Sequence, residues 1–212
     1  MSDSTQSSTQ PLTQQSENEL PIEQHPFPPV LPKEATIMMM GSFPPTEDKW
    51  AMPFHYPNFY NDMWRIYGEV FFADPDHFRV GEEKRFEPQQ IIDFMHERGI
   101  ASCPTVRSAI REQGNAADKH LQVVDKVDLD SILSQVPQVQ TLFTTGGKAT
   151  EILLSLLENP PKLPKTNQHI DYPYPTRALT LYRLPSTSRA YPLAFAKKVE
   201  AYRAFFAKMG KI

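Results

Sequence analysis

One stretch of the chain, rich in aromatic and amide groups, could hold a flat ring with amide-like edges. It begins with a turn-forming loop of Gly41, Ser42, Phe43, Pro44 and Pro45, and it continues from Tyr56 to Trp64. Tyr56 offers a flat face, and the carboxamide of Asn61 offers one donor and one acceptor to a ring edge. Aromatic stacking with an Asn amide is one way in which proteins bind a nucleobase removed from its helical stack. The alternative is that such rings fill a core, which we favour for Met63 and Trp64.

A second stretch could bind phosphate. It carries three hydroxyls followed by a guanidinium, on Ser186, Thr187, Ser188 and Arg189. Hydroxyl and backbone N–H groups in a loop before a helix bind phosphate without reading a base sequence. The alternative is a Ser/Thr cap on a helix that begins near Pro192.

The distribution of charge favours an anionic partner at the carboxyl-terminal end. The 212-residue chain has a net charge of −3, yet residues 177–212 contain eight Lys and Arg against one acidic residue. That segment therefore carries +7 and the remaining residues −10, which favours a polyanion at one end of the protein. The alternative is a solvated helix face, which accounts for Lys197, Lys198 and Lys208.

Other kinds of site find no support in the sequence. The segment Thr145-Gly146-Gly147-Lys148 lacks the first glycine and the final hydroxyl of a phosphate-binding loop, so we interpret it as a strand-to-helix turn. The six histidines lie far apart without metal-ligand spacing, so we expect no metal site. A single cysteine excludes an internal disulfide and favours a reducing, cytoplasmic setting. No apolar run nears the roughly 20 residues of a membrane span, so we expect no membrane association. We also expect a monomer.

The chain divides into three segments. Residues 1–20 are mainly Ser, Thr and Gln and are predicted to form a disordered tail. Residues 21–34 are rich in proline and are predicted to run extended over the protein surface. Residues 35–212 are predicted to form a single domain, because this length suffices for one sizeable core.

Short apolar runs alternate with amphipathic stretches in this domain. Strands are predicted at 35–40, 99–102, 141–145 and 178–184, with an added antiparallel strand possible at 168–174. Helices are predicted at 61–72, 89–98, 129–136, 148–157 and 192–209. This alternation predicts an α/β domain around a short, mostly parallel, four-stranded central sheet. Ligands bind beyond the carboxyl ends of such strands, so both candidate loops flank one cleft if the first and last strands are neighbours.

At these two stretches the sequence resembles the uracil-DNA glycosylase superfamily, and it looks closest to the branches that act on mismatched uracil, thymine or hypoxanthine. Those proteins carry a Gly-x-x-Pro-Gly loop, an aromatic residue and Asn-x-Phe-Trp. The corresponding residues here are 41–45, with Pro45 in place of the second glycine, Tyr56, and 61–64, with Met63 in place of the phenylalanine. Their last motif is similar to Pro185-Ser186-Thr187-Ser188. The order of intervening segments also fits, namely Gly99–Ser102, Asn115-Ala116-Ala117-Asp118 and Thr144-Thr145-Gly146.

The resemblance implies a three-layer α/β/α domain that hydrolyses the bond between a base and its deoxyribose in DNA without a cofactor. By this analogy the loop of Gly41, Ser42, Phe43 and Pro44 lines the base pocket, with Ser42 counted among the catalytic residues. Tyr56 would stack on the base, and Asn61 would hydrogen-bond to its edge. Ser186, Thr187 and Ser188 would bind the phosphates, and Arg189 would either reach a phosphate or fill the gap left by the flipped base.

The sequence departs from the family pattern at the attacking water. Many relatives have Asn or Asp where Phe43 stands, and that residue positions the water. Asp62 is the nearest acidic candidate for the base, although its side chain leaves a helix about 100° from that of Asn61. The competing hypotheses are a catalytically impaired glycosylase-fold protein that binds nucleic acid, and an α/β hydrolase of a small phosphorylated substrate.

Overall fold

The central sheet of the protein is five-stranded and mixed. The computed structural model describes residues 20–112 and 121–212. Within them the strands of this sheet are β2 (Ile37–Met40), β3 (Ile100–Ser102), β6 (Thr141–Thr145), β7 (Gln168–Tyr174) and β8 (Arg177–Leu184). Their order is β3-β2-β6-β8-β7, and all neighbours are parallel except β7 and β8.

The prediction of a four-stranded sheet is therefore wrong by one strand. The four apolar runs do form the parallel part, and β2 is buried on both faces, as a central parallel strand requires. The fifth strand is β7, which pairs with β8 through a tight hairpin that joins Tyr174 to Arg177. The β7 strand alternates exposed and half-buried residues, so its hydrophobic signal is weaker than that of the buried strands.

Helices cover both faces of this sheet and give three layers. The helices are α1 (Met63–Phe72), α2 (Pro88–Arg98), α3 (Leu129–Gln135), α4 (Gly147–Leu154) and α5 (Phe195–Lys208). The cluster that contains Met39 and Phe143 packs against α1, α2 and α5, whereas the cluster that contains Met38 and Leu142 packs against α3 and α4. Neighbouring strand residues thus face opposite cores, as the two-residue period of a strand requires.

The helix starts follow local chemistry. Pro88 occupies the first turn of α2, where its missing N–H is not needed, and the Glu87 side chain accepts from Gln89 N. Asp128 caps α3 by accepting from Ser131 N at 3.0 Å, the usual role of an Asp at the start of a helix. The α1 helix begins at Met63, two residues after the predicted start.

A second, three-stranded sheet is not predicted by the sequence. It has the order β1-β4-β5 and contains β1 (Ile22–Gln24), β4 (Val106–Arg111) and β5 (Leu121–Lys126). The antiparallel pairing of β1 with β4 attaches residues of the proline-rich segment to the domain. Residues 1–19 of the predicted tail and the segment Asn115-Ala116-Ala117-Asp118 lie outside the described residues.

Much of the positive charge near the carboxyl terminus is used inside the fold. Arg177, Arg203 and Lys211 donate to backbone carbonyls at the carboxyl-terminal ends of α3, α1 and α2, at 2.7–3.3 Å. Cations are favourable there because the last carbonyls of a helix lack partners and carry partial negative charge. The +7 of residues 177–212 therefore does not by itself define a face for a polyanion. In the described part of the chain, no helix is both long enough and apolar enough to span a membrane.

Candidate functional site

A cleft of about 760 Å³ lies where the parallel strands end. The loops after β2, β6 and β8 contribute residues to its wall, including Ser42, Gly146 and Ser186. The sequence predicts one shared cleft if the first and last parallel strands are neighbours. These strands, β2 and β8, are not neighbours, because β6 lies between them. Their loops nevertheless share the cleft, since the loop after β6 is short. The volume lies within the range of small-molecule pockets, roughly 300–1,000 Å³.

The loop of residues 41–45 is held from outside the cleft by its carbonyl groups. Gly41 O accepts from the N–H and the hydroxyl of Thr105, at 2.8 and 2.9 Å. Pro44 O accepts from Arg111 Nη2 at 2.6 Å, and Pro45 O accepts from Trp50 Nε1 at 2.8 Å. These bonds fix the backbone that presents Ser42 and Phe43 to the cleft.

Phe43 lies in an environment of rings and one cation. Its ring meets the His25 ring edge-on at a centroid distance of 5.4 Å, and the Arg111 guanidinium lies 5.3 Å from its centroid. The ring also packs against the small core under the second sheet. An apolar ring cannot position a water, so this part of the wall contributes shape rather than a polar contact.

Tyr56 is fixed in the cleft wall by a strained backbone and one hydrogen bond. Its φ of 53° is left-handed, which is uncommon for a residue with a large side chain. Its hydroxyl lies 2.7 Å from Thr145 Oγ1. A Cβ at Gly41 would lie 2.9 Å from the same hydroxyl, so the absence of a side chain there permits the approach. Backbone strain of this kind is concentrated at functional sites.

Asn61 also lines the cleft, and its amide is partly committed to the helix start. Its Oδ1 accepts from Met63 N at 3.0 Å, which assigns the oxygen to the helix side of the carboxamide. No hydrogen bond of Nδ2 is found among the described residues. The side chain thus offers donors to a ligand, rather than the donor and acceptor pair expected from the sequence.

Asp62 is turned away from the cleft and forms buried ion pairs. Its carboxylate accepts from Lys198 Nζ at 2.9 Å and from Arg189 Nε at 3.0 Å. It does not line the 760 Å³ cleft but a separate cavity of about 430 Å³. The geometry therefore gives no support to Asp62 as the base and makes it a residue that positions the neighbouring loop.

The interpretation of Lys198 as part of a solvated helix face is wrong. Lys198 is 1% exposed, whereas the solvated-face alternative places it in water. Besides Asp62, it donates to Ser188 O at 2.8 Å. The spacing of Lys198 indicates its burial, because Lys198, Tyr202 and Phe205 recur at i, i+4 and i+7 on the buried face of α5.

In the loop of residues 186–189, the hydroxyl oxygens of both serines accept hydrogen bonds from nearby backbone N–H groups. Ser186 Oγ accepts from Ser188 N, and Ser188 Oγ accepts from Ala190 N, both at 3.2 Å. Each hydroxyl keeps its hydrogen for donation to an anion. Thr187, by contrast, is 2% exposed, and its carbonyl accepts from Asp62 N at 3.0 Å. The loop and the start of α1 are thereby joined, which brings Asn61 beside the serines.

The loop after β6 completes this side of the cleft. Gly146 has φ 109°, a conformation that favours glycine, and its N–H donates to Leu184 O at 3.1 Å. A Cβ at this position would lie 3.2 Å from the Ser186 Cβ. The segment Thr145–Lys148 is thus a strand-to-helix turn, as the sequence predicts, and it packs against the loop of residues 186–189.

The proline-rich segment contributes to the cleft wall, which the sequence analysis missed. His25 and Phe27 line the cleft together with His55, and the His25 and His55 ring centroids are 6.0 Å apart. Burial and the nearby His55 lower the pKa of His25 to about 4, and burial also lowers the pKa of His55. Both imidazoles are therefore neutral at pH 7. No local pattern in the sequence marks His25, because its place depends on the pairing of β1 with β4.

The cleft contains little that could bind a cation. Among the residues of 20–112 and 121–212 that line it, none is a carboxylate, and Arg189 is the one permanent cation. No group of three His, Cys, Asp or Glu that could hold a metal occurs within the described ranges. The wall thus combines neutral donors, aromatic rings and one positive charge, a set that suits an anionic ligand with a flat polar ring.

Comparison with known proteins gives a fold relationship. No family model and no curated protein matches the chain. Among solved structures, the chain is similar to the solution NMR structure of a "putative Uracil DNA glycosylase" from Methanosarcina acetivorans, with a TM-score of 0.57 and 18% sequence identity. The match covers 86% of this chain and 98% of that one. At this identity, what the two proteins share is the α/β fold.

Proposed function

We propose that this protein is a DNA glycosylase that hydrolyses the bond between deoxyribose and uracil, or a related deaminated base, flipped out of DNA. In this reaction water oxygen bonds to C1′ of the sugar while the C1′–N bond breaks. Its electron pair leaves on the base, which becomes anionic until it takes up a proton. An enzyme for this step must bind the flipped base, stabilise its negative charge and hold the flanking phosphates.

The observation that carries the proposal is the arrangement of Asn61. With Oδ1 bonded to Met63 N, the side chain has its Nδ2 hydrogens to offer to a carbonyl oxygen of the base. Such a fixed donor is most valuable where negative charge develops, and removal of one comparable donor costs about 10²–10³ in rate. Uracil, thymine and hypoxanthine all carry a ring carbonyl, whereas cytosine presents an amino donor at one of the corresponding positions.

The remaining walls support the same substrate. Tyr56 contributes an aromatic side chain with a fixed position, as base stacking requires. Ser186 and Ser188 have hydroxyl hydrogens to donate to phosphate oxygens, and Arg189 is 41% exposed at its side chain. The absence of carboxylates from the described cleft wall avoids repulsion of a phosphate backbone. The fold similarity to the Methanosarcina acetivorans protein adds to this argument.

A second function is favoured by Phe43, which places a ring where a glycosylase needs a group to position water. In that case the protein binds a flipped base in DNA without releasing it. The binding walls would be the same, so only turnover separates the two functions.

The test is a cleavage assay on single-stranded and double-stranded oligonucleotides that contain one uracil, G·T-mismatched thymine or hypoxanthine, followed by alkali. The proposal predicts strand cleavage after alkali at one or more of these bases, and none at cytosine in the same context. Tight lesion binding without abasic product would favour the binding function. Neither binding nor product on any of these substrates would contradict both.

A further inference from the structure

The hydrolysis proposed above needs a proton acceptor for the attacking water, and the expected position for one is occupied by Phe43. In the described residues of the cleft wall no carboxylate is present, and Asp62 is held by Lys198 and Arg189 outside that wall. The groups left in the wall that can accept a proton near neutral pH are the imidazoles of His25 and His55.

His55 is excluded because both of its ring nitrogens are used. Nε2 lies 2.8 Å from Pro28 O, and a carbonyl only accepts, so Nε2 carries the hydrogen. Nδ1 lies 2.9 Å from Ser102 Oγ and accepts from that hydroxyl. With this pair of partners the ring is a structural link between the proline-rich segment and β3.

His25 has one ring nitrogen to spare. Its Nδ1 lies 3.0 Å from Phe27 O and 3.3 Å from Phe27 N. The shorter contact is to a carbonyl that can only accept, so we assign the hydrogen to Nδ1 and the lone pair to Nε2. Nε2 makes no hydrogen bond to any residue of 20–112 or 121–212, and the ring lines the cleft beside Phe43. The backbone is fixed, since His25 N donates to Arg107 O at 2.7 Å directly after β1.

We propose that His25 is the general base of this site, accepting through Nε2 the proton of the water that attacks C1′. The inference rests on the proposed glycosylase function and deepens it. As the oxygen–C1′ bond forms, the water proton passes to Nε2, and the C1′–N electron pair leaves on the base. The imidazolium then returns the proton to solvent or to the departed base, so water and nucleotide give free base and an abasic site. Phe43 then packs against the His25 ring, and His25 takes the role that an Asn or Asp has at position 43 in the related proteins.

The surroundings of His25 set the pH range of this base. The ionisable groups around it are His55, the ion-paired Glu23 and Arg111, and Arg107 on the adjacent strand. Because burial and His55 lower the pKa of His25 to about 4, the lone pair is available throughout the neutral range.

The test compares His25→Gln with His96→Gln, a matched change on the exposed face of α2, in single-turnover cleavage of a uracil-containing single strand. The proposal predicts that His25→Gln lowers the rate at pH 7 by about 10²-fold or more, and that His96→Gln does not. Binding of an oligonucleotide with a tetrahydrofuran abasic analogue should be the same for both variants. In the unmodified protein, the rate should fall at acidic pH with the same midpoint as the NMR titration of the His25 ring.

The outcomes separate the two proposals. If the unmodified chain cleaves and His25→Gln cleaves equally well, the base assignment is overturned and the glycosylase function stands. If the unmodified chain never cleaves, both are overturned. Loss of cleavage together with loss of tetrahydrofuran-oligonucleotide binding, or a kinetic midpoint that differs from the His25 titration, would also overturn the assignment.

Discussion

The two walls of the cleft are held by different forces. The α1 wall, formed by Asn61, Ser186 and Ser188, is held by a buried ion pair and a backbone hydrogen bond between α1 and the last loop. The lead-in wall, formed by His25, Phe27 and Phe43, is held by ring contacts and by the pairing of β1 with β4. The first wall offers donors and the second offers neutral imidazole. Under the proposed function, the first wall would bind the base and phosphates, and the second would provide the proton acceptor for the attacking water.

Breaking the ion pair of the α1 wall should have the largest effect on stability. Lys198→Met leaves the Asp62 carboxylate 5% exposed with Arg189 as its remaining cation. Removal of one partner of a buried pair costs about 3–5 kcal/mol, which urea unfolding would measure. The control is Lys197→Met, an exposed neighbour that pairs with Glu200 and should change stability by less than about 0.5 kcal/mol. Equal effects of the two variants would contradict the structural role of Lys198.

The lead-in wall should instead respond to pH. His25 has a pKa of about 4 in the folded protein against an ordinary value of 6.5, so the unfolded chain binds more protons between these values. Its contribution to stability is therefore complete above pH 6.5 and is lost as the pH falls towards 4, by roughly 3 kcal/mol. The check is urea unfolding at pH 7 and pH 4.5, in which His25→Gln should lose less stability than the unmodified protein. The same loss in both proteins would refute this prediction.

A smaller effect is expected where the lead-in wall meets the first loop. Arg111, 6% exposed at its side chain, donates to Glu23 at 2.9 Å and to Pro44 O, and it covers the Phe43 ring. Glu23→Ala should cost about 1–2 kcal/mol by removing a charge-assisted hydrogen bond. Glu82→Ala, at a fully exposed position, is the control and should be neutral within about 0.5 kcal/mol. Thermal unfolding of the two variants measures the difference.

The smallest effect should come from the residues that precede the proline-rich segment. Deletion of residues 1–19 should leave the melting temperature and DNA binding unchanged, because this composition has little apolar surface to bury. A fall of more than a few degrees would show that these residues contribute to the fold. Together with Glu23→Ala, this deletion tests whether the contacts that stabilise the lead-in wall begin after residue 19.

The same contrast explains what could be predicted from the sequence. The place of Tyr56, Asn61 and the loop of residues 186–189 in one cleft could be predicted because residue type and local spacing indicate it. The buried strands could be predicted because they are continuous apolar runs. The part of the lead-in wall formed by His25 and Phe27 could not be predicted, since Glu23 and Arg111 are 88 positions apart and β4 is only partly apolar. The burial of Lys198 depends on Asp62, which is 136 positions away. Local patterns thus specified one wall, whereas the other depends on contacts between distant segments.

The most direct test of the central claim is the single-turnover rate of Asn61→Asp compared with Asn61→Ala on the substrate that the unmodified protein cleaves. Asn61→Asp keeps an oxygen for Met63 N and removes the Nδ2 donors, whereas Asn61→Ala removes both. We predict that both variants cleave about 10²–10³-fold more slowly, and that only Asn61→Ala loses about 1 kcal/mol of stability. A wild-type cleavage rate in Asn61→Asp would contradict the account, because the side chain would then serve only to cap α1.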